Sequence, residues 1–251
     1  MSTVLIVAGS DSSCGAGLSA DLEVVRTMGC QPLLAVTAVT AQTDQKFLSS
    51  QAVASSVFKD QLEAAWDHSG GHVSAVKIGM LPNESIVEIL TEFLQQKNCP
   101  NIVLDPLLKS TSGGHLADES SVSKRSRSLF PLSTLVTPNI PEACSLTGLC
   151  CLSKYDLHAL ASAIVGLGPA AVLVKGGHLE GSECVDYLLK KGELQGQEFR
   201  QARLPIASVR GTGCRLASAI SARLALGDDL RQAVDNARSY LFTHFEKRCS
   251  L

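Results

Sequence analysis

Val4-Leu-Ile-Val-Ala-Gly-Ser-Asp-Ser-Ser-Cys-Gly-Ala-Gly-Leu-Ser-Ala-Asp21 is the stretch whose reading decides the fold. Its first five residues form a continuous apolar, partly β-branched run, the pattern of a strand buried on both faces. A polar glycine loop follows, and Leu18–Met28 then shows helical spacing. Pro32–Ala38 is a second apolar run. Strand, loop, helix and strand in that order imply parallel pairing through a crossover.

The alternation continues outward from this unit. Helices are expected over Ser55–His68, Glu84–Lys97, Ser121–Phe130 and Leu157–Leu167, with another opening after Pro138. Strands are expected over Val73–Ile78, Ile102–Leu104, Leu135–Thr137 and Ala171–Val174. Thr40–Ser50, polar and aperiodic, reads as a flap or short hairpin over one end of the sheet, and Leu107–Ser121 as a surface loop. Cys184–Leu189 and Glu198–Leu204 read as an antiparallel hairpin, and Leu230–Phe245 as the last helix. No repeat or linker interrupts the chain, so residues 1–251 are expected to form a single α/β domain with helices on both faces of a mostly parallel sheet.

Charge narrows the partners. The 22 basic and 24 acidic residues leave a net charge of −2 and are spread along the chain, which gives no footprint for nucleic acid or an anionic membrane. Small molecules or protein are the expected partners. Nine cysteines, an odd number without a C-x-x-C pair, argue against a disulfide framework and a zinc ribbon. Without a basic leader or an apolar run approaching membrane length, a soluble cytoplasmic protein is expected.

The conspicuous polar residues follow predicted strands or open the next element: Asp11, Asp105, Asn139, Glu142 and Lys175. In such sheets ligands bind at the carboxyl ends of the strands. Ser208-Val-Arg-Gly-Thr-Gly-Cys214 is a glycine loop feeding a helix that runs to a stop at Gly227. Its small residues and unpaired first-turn N–H groups suit an anion, although an ordinary packed glycine turn answers to the same pattern. Cys214 at that helix start is expected to have a lowered pKa and to act as a base or nucleophile. Asp105 and Glu142 suit Mg²⁺ held through water, or a cap and a surface acid; Lys175 suits a polyphosphate, or a solvated turn. Gly15-Ala-Gly-Leu-Ser-Ala20 matches a dinucleotide fingerprint, but the strand ends too early and no acid closes the next one, and no P-loop is present. The set amounts to the parts of a phosphoryl-transfer site: anion hole, lysine, metal-binding acids and base.

On these residues the chain resembles the hydroxymethylpyrimidine (phosphate) kinases of thiamine biosynthesis, within the ribokinase superfamily that includes pyridoxal kinases. The likeness runs from Val4 to about Phe245 through Ala8-Gly-Ser-Asp-Ser-Ser, Gly15-Ala-Gly17, Thr37-Ala-Val-Thr-Ala-Gln42, Val76-Lys-Ile-Gly-Met80, Asp105-Pro106, Thr137-Pro-Asn-Ile-Pro-Glu-Ala143, Val174-Lys-Gly-Gly-His178 and Gly211-Thr-Gly-Cys214. It implies a ribokinase-like three-layer α/β/α fold with a small flap, a homodimer, and an ATP- and Mg²⁺-dependent kinase acting on a small pyrimidine. By the same match Gly211, Thr212 and Gly213 surround the transferred phosphoryl group and Cys214 is the catalytic base. Lys175 contacts ATP phosphates, Asn139 and Glu142 serve the magnesium site with Asp105 beside them, and Gly9, Asp21, Gln42 and Met80 form the pyrimidine pocket. A pyridoxal kinase and a non-catalytic binding relative are the alternatives.

Three departures from the family pattern stand out: Thr43-Asp-Gln-Lys-Phe47 in the flap, Cys14 in the first loop, and Arg210 and Arg215 flanking the phosphate loop. A cation in the first turn of a helix opposes the macrodipole unless an anion sits beside it. Arg215 is therefore expected to neutralise a phosphate of the nucleotide or acceptor, or else to mark drift from the parent activity.

Overall fold

The computed structural model describes residues 1–43, 45–107, 119–151, 153–177, 179, 181–204 and 210–249. Its centre is an eight-stranded sheet built from β1 (Thr3–Ala8), β2 (Gln31–Val36), β5 (Ala75–Ile78), β6 (Ile102–Leu104), β7 (Leu135–Val136), β8 (Ala171–Val174), β9 (Glu183–Lys190) and β10 (Gln197–Ala202). A separate two-stranded hairpin pairs β3 (Ala38–Gln42) with β4 (Phe47–Ala52). The sheet order is β10-β9-β8-β7-β6-β5-β1-β2. The strands from β2 to β8 pair in parallel, while β9 and β10 return antiparallel.

The apolar strands divide their side chains between two helical layers. Leu5 and Val7 face α2 (Ser55–His68) and α3 (Glu84–Lys97), and farther along the same face α5 (Ile140–Thr147) and α6 (Leu157–Val165) cover β7 and β8. Val4, Ile6 and Ala8 face the other way, under α1 (Gly17–Thr27) and α7 (Thr212–Ala225), and α8 (Leu230–Cys249) completes that layer. Val4 to Ala8 are at most 1 % exposed, so both faces of this strand contribute, roughly 1.5–3 kcal/mol for each fully buried large aliphatic side chain. α4 (Glu119–Ser128) lies beside α3.

The expected elements are present, with shifted ends. The second strand stops at Val36 instead of Ala38, because Thr37 is tied down. Its N–H donates to Ala8 O at 3.0 Å and its hydroxyl to Met80 O at 2.7 Å, and the chain then leaves the sheet for the hairpin. Asn83 caps α3 by accepting from the Ile86 N–H at 3.1 Å. The expected helix Ser121–Phe130 is α4 followed by a 3₁₀ turn at Phe130–Leu132. His178, Ser208, Val209 and residues 108–118 of the expected loop lie outside the described residues. Cys14, Cys30, Cys99, Cys144, Cys150, Cys151, Cys184 and Cys214 are free thiols, in keeping with the absence of a disulfide framework among the described residues. No helix among the described residues is long and apolar enough to cross a membrane.

Candidate active site

The parallel strands deliver their carboxyl ends to one edge in sheet order. Lys175 follows β8, Asn139 follows β7, Asp105 follows β6, Met80 follows β5 and Gly9 follows β1. The edge thus runs from a charged end to a nearly apolar one, and α7 packs over β5 and β6 between them.

At the charged end, Lys175 Nζ donates to Asp105 Oδ1 at 2.8 Å, and the Thr137 hydroxyl donates to the same oxygen at 3.3 Å. Asp105 Oδ2 is buried with no hydrogen-bond partner. Both groups face the glycine loop: a Cβ on Gly213 would stand 2.9 Å from Lys175 Nζ and 3.7 Å from Asp105 Oδ2. The lysine turn is seated from behind. Gly176 N–H donates to Asp186 Oδ1 at 2.8 Å, Arg238 pairs with Asp186, and a Cβ on Gly176 would overlap Val185 O. Burial alone would lower the Lys175 pKa, but the Asp105 and Glu142 carboxylates outweigh it and hold the ammonium above its ordinary value.

Asn139 and Glu142 form a capping box at the start of α5. Glu142 N–H donates to Asn139 Oδ1 and Asn139 N–H to Glu142 Oε2, both at 2.8 Å. The capping role does not take Glu142 out of the site. Burial pushes its carboxyl up to about 7, against the pull of Lys175. Folding therefore takes up a proton at Glu142 between the ordinary carboxylate range and about pH 7. Without metal, the protein is expected to lose stability as pH rises through that window, and Glu142→Gln to remove this part of the slope. Urea unfolding with a chelator at about pH 5 and about pH 8 measures it, and equal slopes in both proteins would refute it.

A buried carboxylate oxygen without a partner and a second buried acid fit an ion that keeps waters and takes one or two carboxylates plus phosphates. Among the described residues no trio of His, Cys, Asp and Glu makes an all-protein cage.

The loop before α7 itself needs its glycines. Gly211 has φ +76° and lies against the first loop, where a Cβ would meet Gly15 O at 2.2 Å. Cys214, in the first turn of α7, is only 5 % exposed. Its expected low pKa is corrected. Burial pushes the thiol up to about 11, outweighing Lys77, the largest lowering influence, and the Gly17 N–H that donates to it. A helix start lowers a thiol pKa only where solvation is not lost at the same time.

At the other end, Gly9, Ala38 and Met80 touch: a Cβ on Gly9 would meet Met80 Sδ at 2.8 Å and Ala38 O at 3.5 Å. Phe47 and Leu107 pack against this cluster. Gln42, on β3, donates from Nε2 to Thr40 Oγ1 at 2.8 Å, and its Oε1 is buried without a partner.

Two further side chains of the expected site are engaged within the protein. Asp21 is 0 % exposed, paired at 2.5 Å with Lys77 and accepting from the Ser218 hydroxyl at 2.8 Å. Arg215 is 3 % exposed, and its guanidinium is engaged by the first loop and α1. It donates to Gly15 O at 2.8 Å and pairs with Glu23 at 3.3 Å, so Glu23 is the anion that offsets its unfavourable place in the helix. Lys77 was missed, and its signal was a charged residue inside the apolar run Ala75–Ile78, which demands a buried partner.

With this geometry in hand, comparisons with known proteins converge. The family model described as phosphomethylpyrimidine kinase matches residues 11–251. A hydroxymethylpyrimidine/phosphomethylpyrimidine kinase of Haemophilus influenzae is 35 % identical over 95 % of this chain and 88 % of its own. The crystal structure of phosphomethylpyrimidine kinase from Clostridium difficile 630 is 33 % identical and superposes with a TM-score of 0.85 over 98 % of this chain and all of its own. A pyridoxal kinase from Staphylococcus aureus in complex with AMP-PCP and pyridoxal is 29 % identical, with a TM-score of 0.85 over 95 % of this chain and 85 % of its own.

Proposed function

Because the chain belongs to the phosphomethylpyrimidine kinase family, we propose that it transfers the ATP γ-phosphoryl group to 4-amino-5-hydroxymethyl-2-methylpyrimidine or its monophosphate, a step of thiamine biosynthesis. Gln42 carries the acceptor assignment. Its buried, unpartnered Oε1 requires a donor, and the amino group of an aminopyrimidine supplies one beside the adaptable Met80 side chain. The ATP-analogue complex of the pyridoxal kinase relative supports the nucleotide.

In this reading the residues divide the work along the edge. Gln42, Gly9 and Met80 hold and orient the pyrimidine. Asp21 supports the pocket from below by fixing Lys77 and Ser218. The N–H groups of Gly211, Thr212, Gly213 and Cys214 face the transferring phosphoryl group, where a helix start offers donors and favourable dipole. Lys175 places its ammonium at the same loop as a point charge. Asp105 and Glu142, positioned by Thr137 and Asn139, would hold Mg²⁺, which would neutralise developing phosphate charge. The Cys214 thiolate takes the proton from the acceptor hydroxyl; burial keeps this form a minority near neutrality.

The proposal includes a cytoplasmic homodimer. Val39 and Leu48 on the hairpin, 56 % and 68 % exposed, are apolar side chains that a second copy would cover.

Mass analysis of products tests the reading, after incubation with ATP, Mg²⁺ and, separately, the pyrimidine alcohol, its monophosphate and pyridoxal. A pyrimidine mono- or diphosphate is expected. Phosphorylation of pyridoxal alone would transfer the assignment to that acceptor, and binding without product would make the chain a non-catalytic relative.

A further inference from the structure

We propose that Arg210 is a positioning residue that latches the β3–β4 flap to the phosphate loop and thereby fixes Gln42 for the acceptor. The role in acceptor binding rests on the pyrimidine kinase reading above.

Within one chain, the flap has little of its own to hold it. It is a two-stranded hairpin outside the main sheet, and Leu48 to Gln51 of β4 are exposed. Such a hairpin is marginal in water without outside support. Gln42 stands at its least regular point, where the register shifts between Ala41 and Gln42. What fixes the strand end is the first loop: Ser12 Oγ donates to Gln42 O at 2.7 Å and accepts from Gln42 N–H at 2.9 Å. Thr40 Oγ1 likewise donates to Ser10 O at 2.7 Å.

Arg210 joins these two pieces to a third. It directly precedes Gly211, so its backbone is the edge of the phosphate loop. Its guanidinium donates to Ser13 Oγ at 2.8 Å and to Thr43 O at 2.9 Å, and pairs with Asp11 Oδ2 at 3.1 Å. Thr43 immediately follows Gln42. Asp11 in turn organises the first loop, accepting from Ser13 N–H at 3.0 Å and Ala16 N–H at 2.8 Å. One side chain, 10 % exposed, thus spans the first loop and the flap from the rim of the anion site. Its charge is engaged by a carboxylate that is 1 % exposed, which favours a structural latch over a grip on a substrate phosphate.

The test uses the full chain, with Arg210→Ala and Arg210→Lys. Hydrogen exchange at Ala38–Gln42 and Phe47–Ala52 reads the latch without reference to activity. KM for the pyrimidine alcohol, its monophosphate and ATP reads its consequence. In Arg210→Ala, exchange should quicken in the flap and not in the main sheet. KM for both acceptors should rise about tenfold, as the fraction of protein with a competent flap falls, with ATP KM changed less than about twofold. Lysine should not restore them, because an ammonium does not reproduce the planar fork. Unchanged flap exchange would overturn the latch, as would loosening of the whole sheet or a KM increase confined to the monophosphate, which would mark a phosphate grip. Should the unaltered protein phosphorylate neither pyrimidine while flap exchange still quickens in Arg210→Ala, the latch would stand and the acceptor assignment would fall.

Discussion

Cys214→Ala is expected to lower kcat by roughly 10²- to 10⁴-fold, the range for loss of a positioned general base. The phosphate loop should survive the change. A helix position accepts alanine well, and in the proposed reading the groups that would face the phosphoryl donor are backbone N–H groups and Lys175. KM for ATP should therefore move little while kcat falls, as for an interaction made only in the transition state. The buried thiol adds a second readout. Its pKa of about 11 means that the basic form grows as pH rises. With Cys214 as the base, kcat/KM should increase about tenfold per unit across roughly pH 7 to 9. Cys214→Asp, which places a carboxylate there, should flatten that rise. A flat profile in the unaltered protein, or near-normal turnover by Cys214→Ala, would remove Cys214 from the chemistry and leave catalysis to positioning and charge.

The fold was legible where local pattern and burial agree. Val4–Ala8, Ile102–Leu104 and Ala171–Val174 are apolar without interruption because both faces of the sheet are covered, and their expected and observed spans agree to within a residue. Ser55–His68 and Glu84–Lys97 match for a related reason: each carries an apolar stripe toward one layer. The site was legible as far as strand ends could place it. Lys175, Asp105 and Glu142 stand together because parallel strands present their carboxyl ends on one side.

Side-chain direction was not legible. Two partners of Arg215, Gly15 and Glu23, lie nearly two hundred residues away, and no local pattern says that α1 will carry an acid beside α7. Asp21 is likewise explained only by Lys77 and Ser218 on other elements. Cys214 shows the same limit in electrostatic form. A helix start can be read from sequence, but the loss of water around it comes from packing, and here desolvation decides the direction of the shift.

The largest stability effect is expected at the Lys77–Asp21 pair, where Lys77→Met should destabilise the protein by about 3–5 kcal/mol. Both side chains are 0 % exposed and stand 2.5 Å apart, and the Ser218 hydroxyl donates to the other carboxylate oxygen at 2.8 Å. Methionine fills a similar volume, so the deficit would come from Asp21, left as a buried acid without its cation. Burial already pushes the Asp21 pKa up even with Lys77 in place. Removal of the ammonium should push it further, until the acid is neutral on folding and the variant loses stability as pH rises above the ordinary carboxylate range. Asp21→Asn added to Lys77→Met should recover much of the loss, since no buried charge then remains. Urea unfolding of the two variants and the parent at constant m-value measures both statements. A Lys77→Met protein within about 1 kcal/mol of the parent would show that water or a neighbour replaces the ammonium. The same substitution bears on catalysis, because Lys77 is the largest influence lowering the Cys214 pKa. Its loss should move the rising limb of the kcat/KM profile to higher pH, whereas a purely structural role for the pair would leave that limb in place.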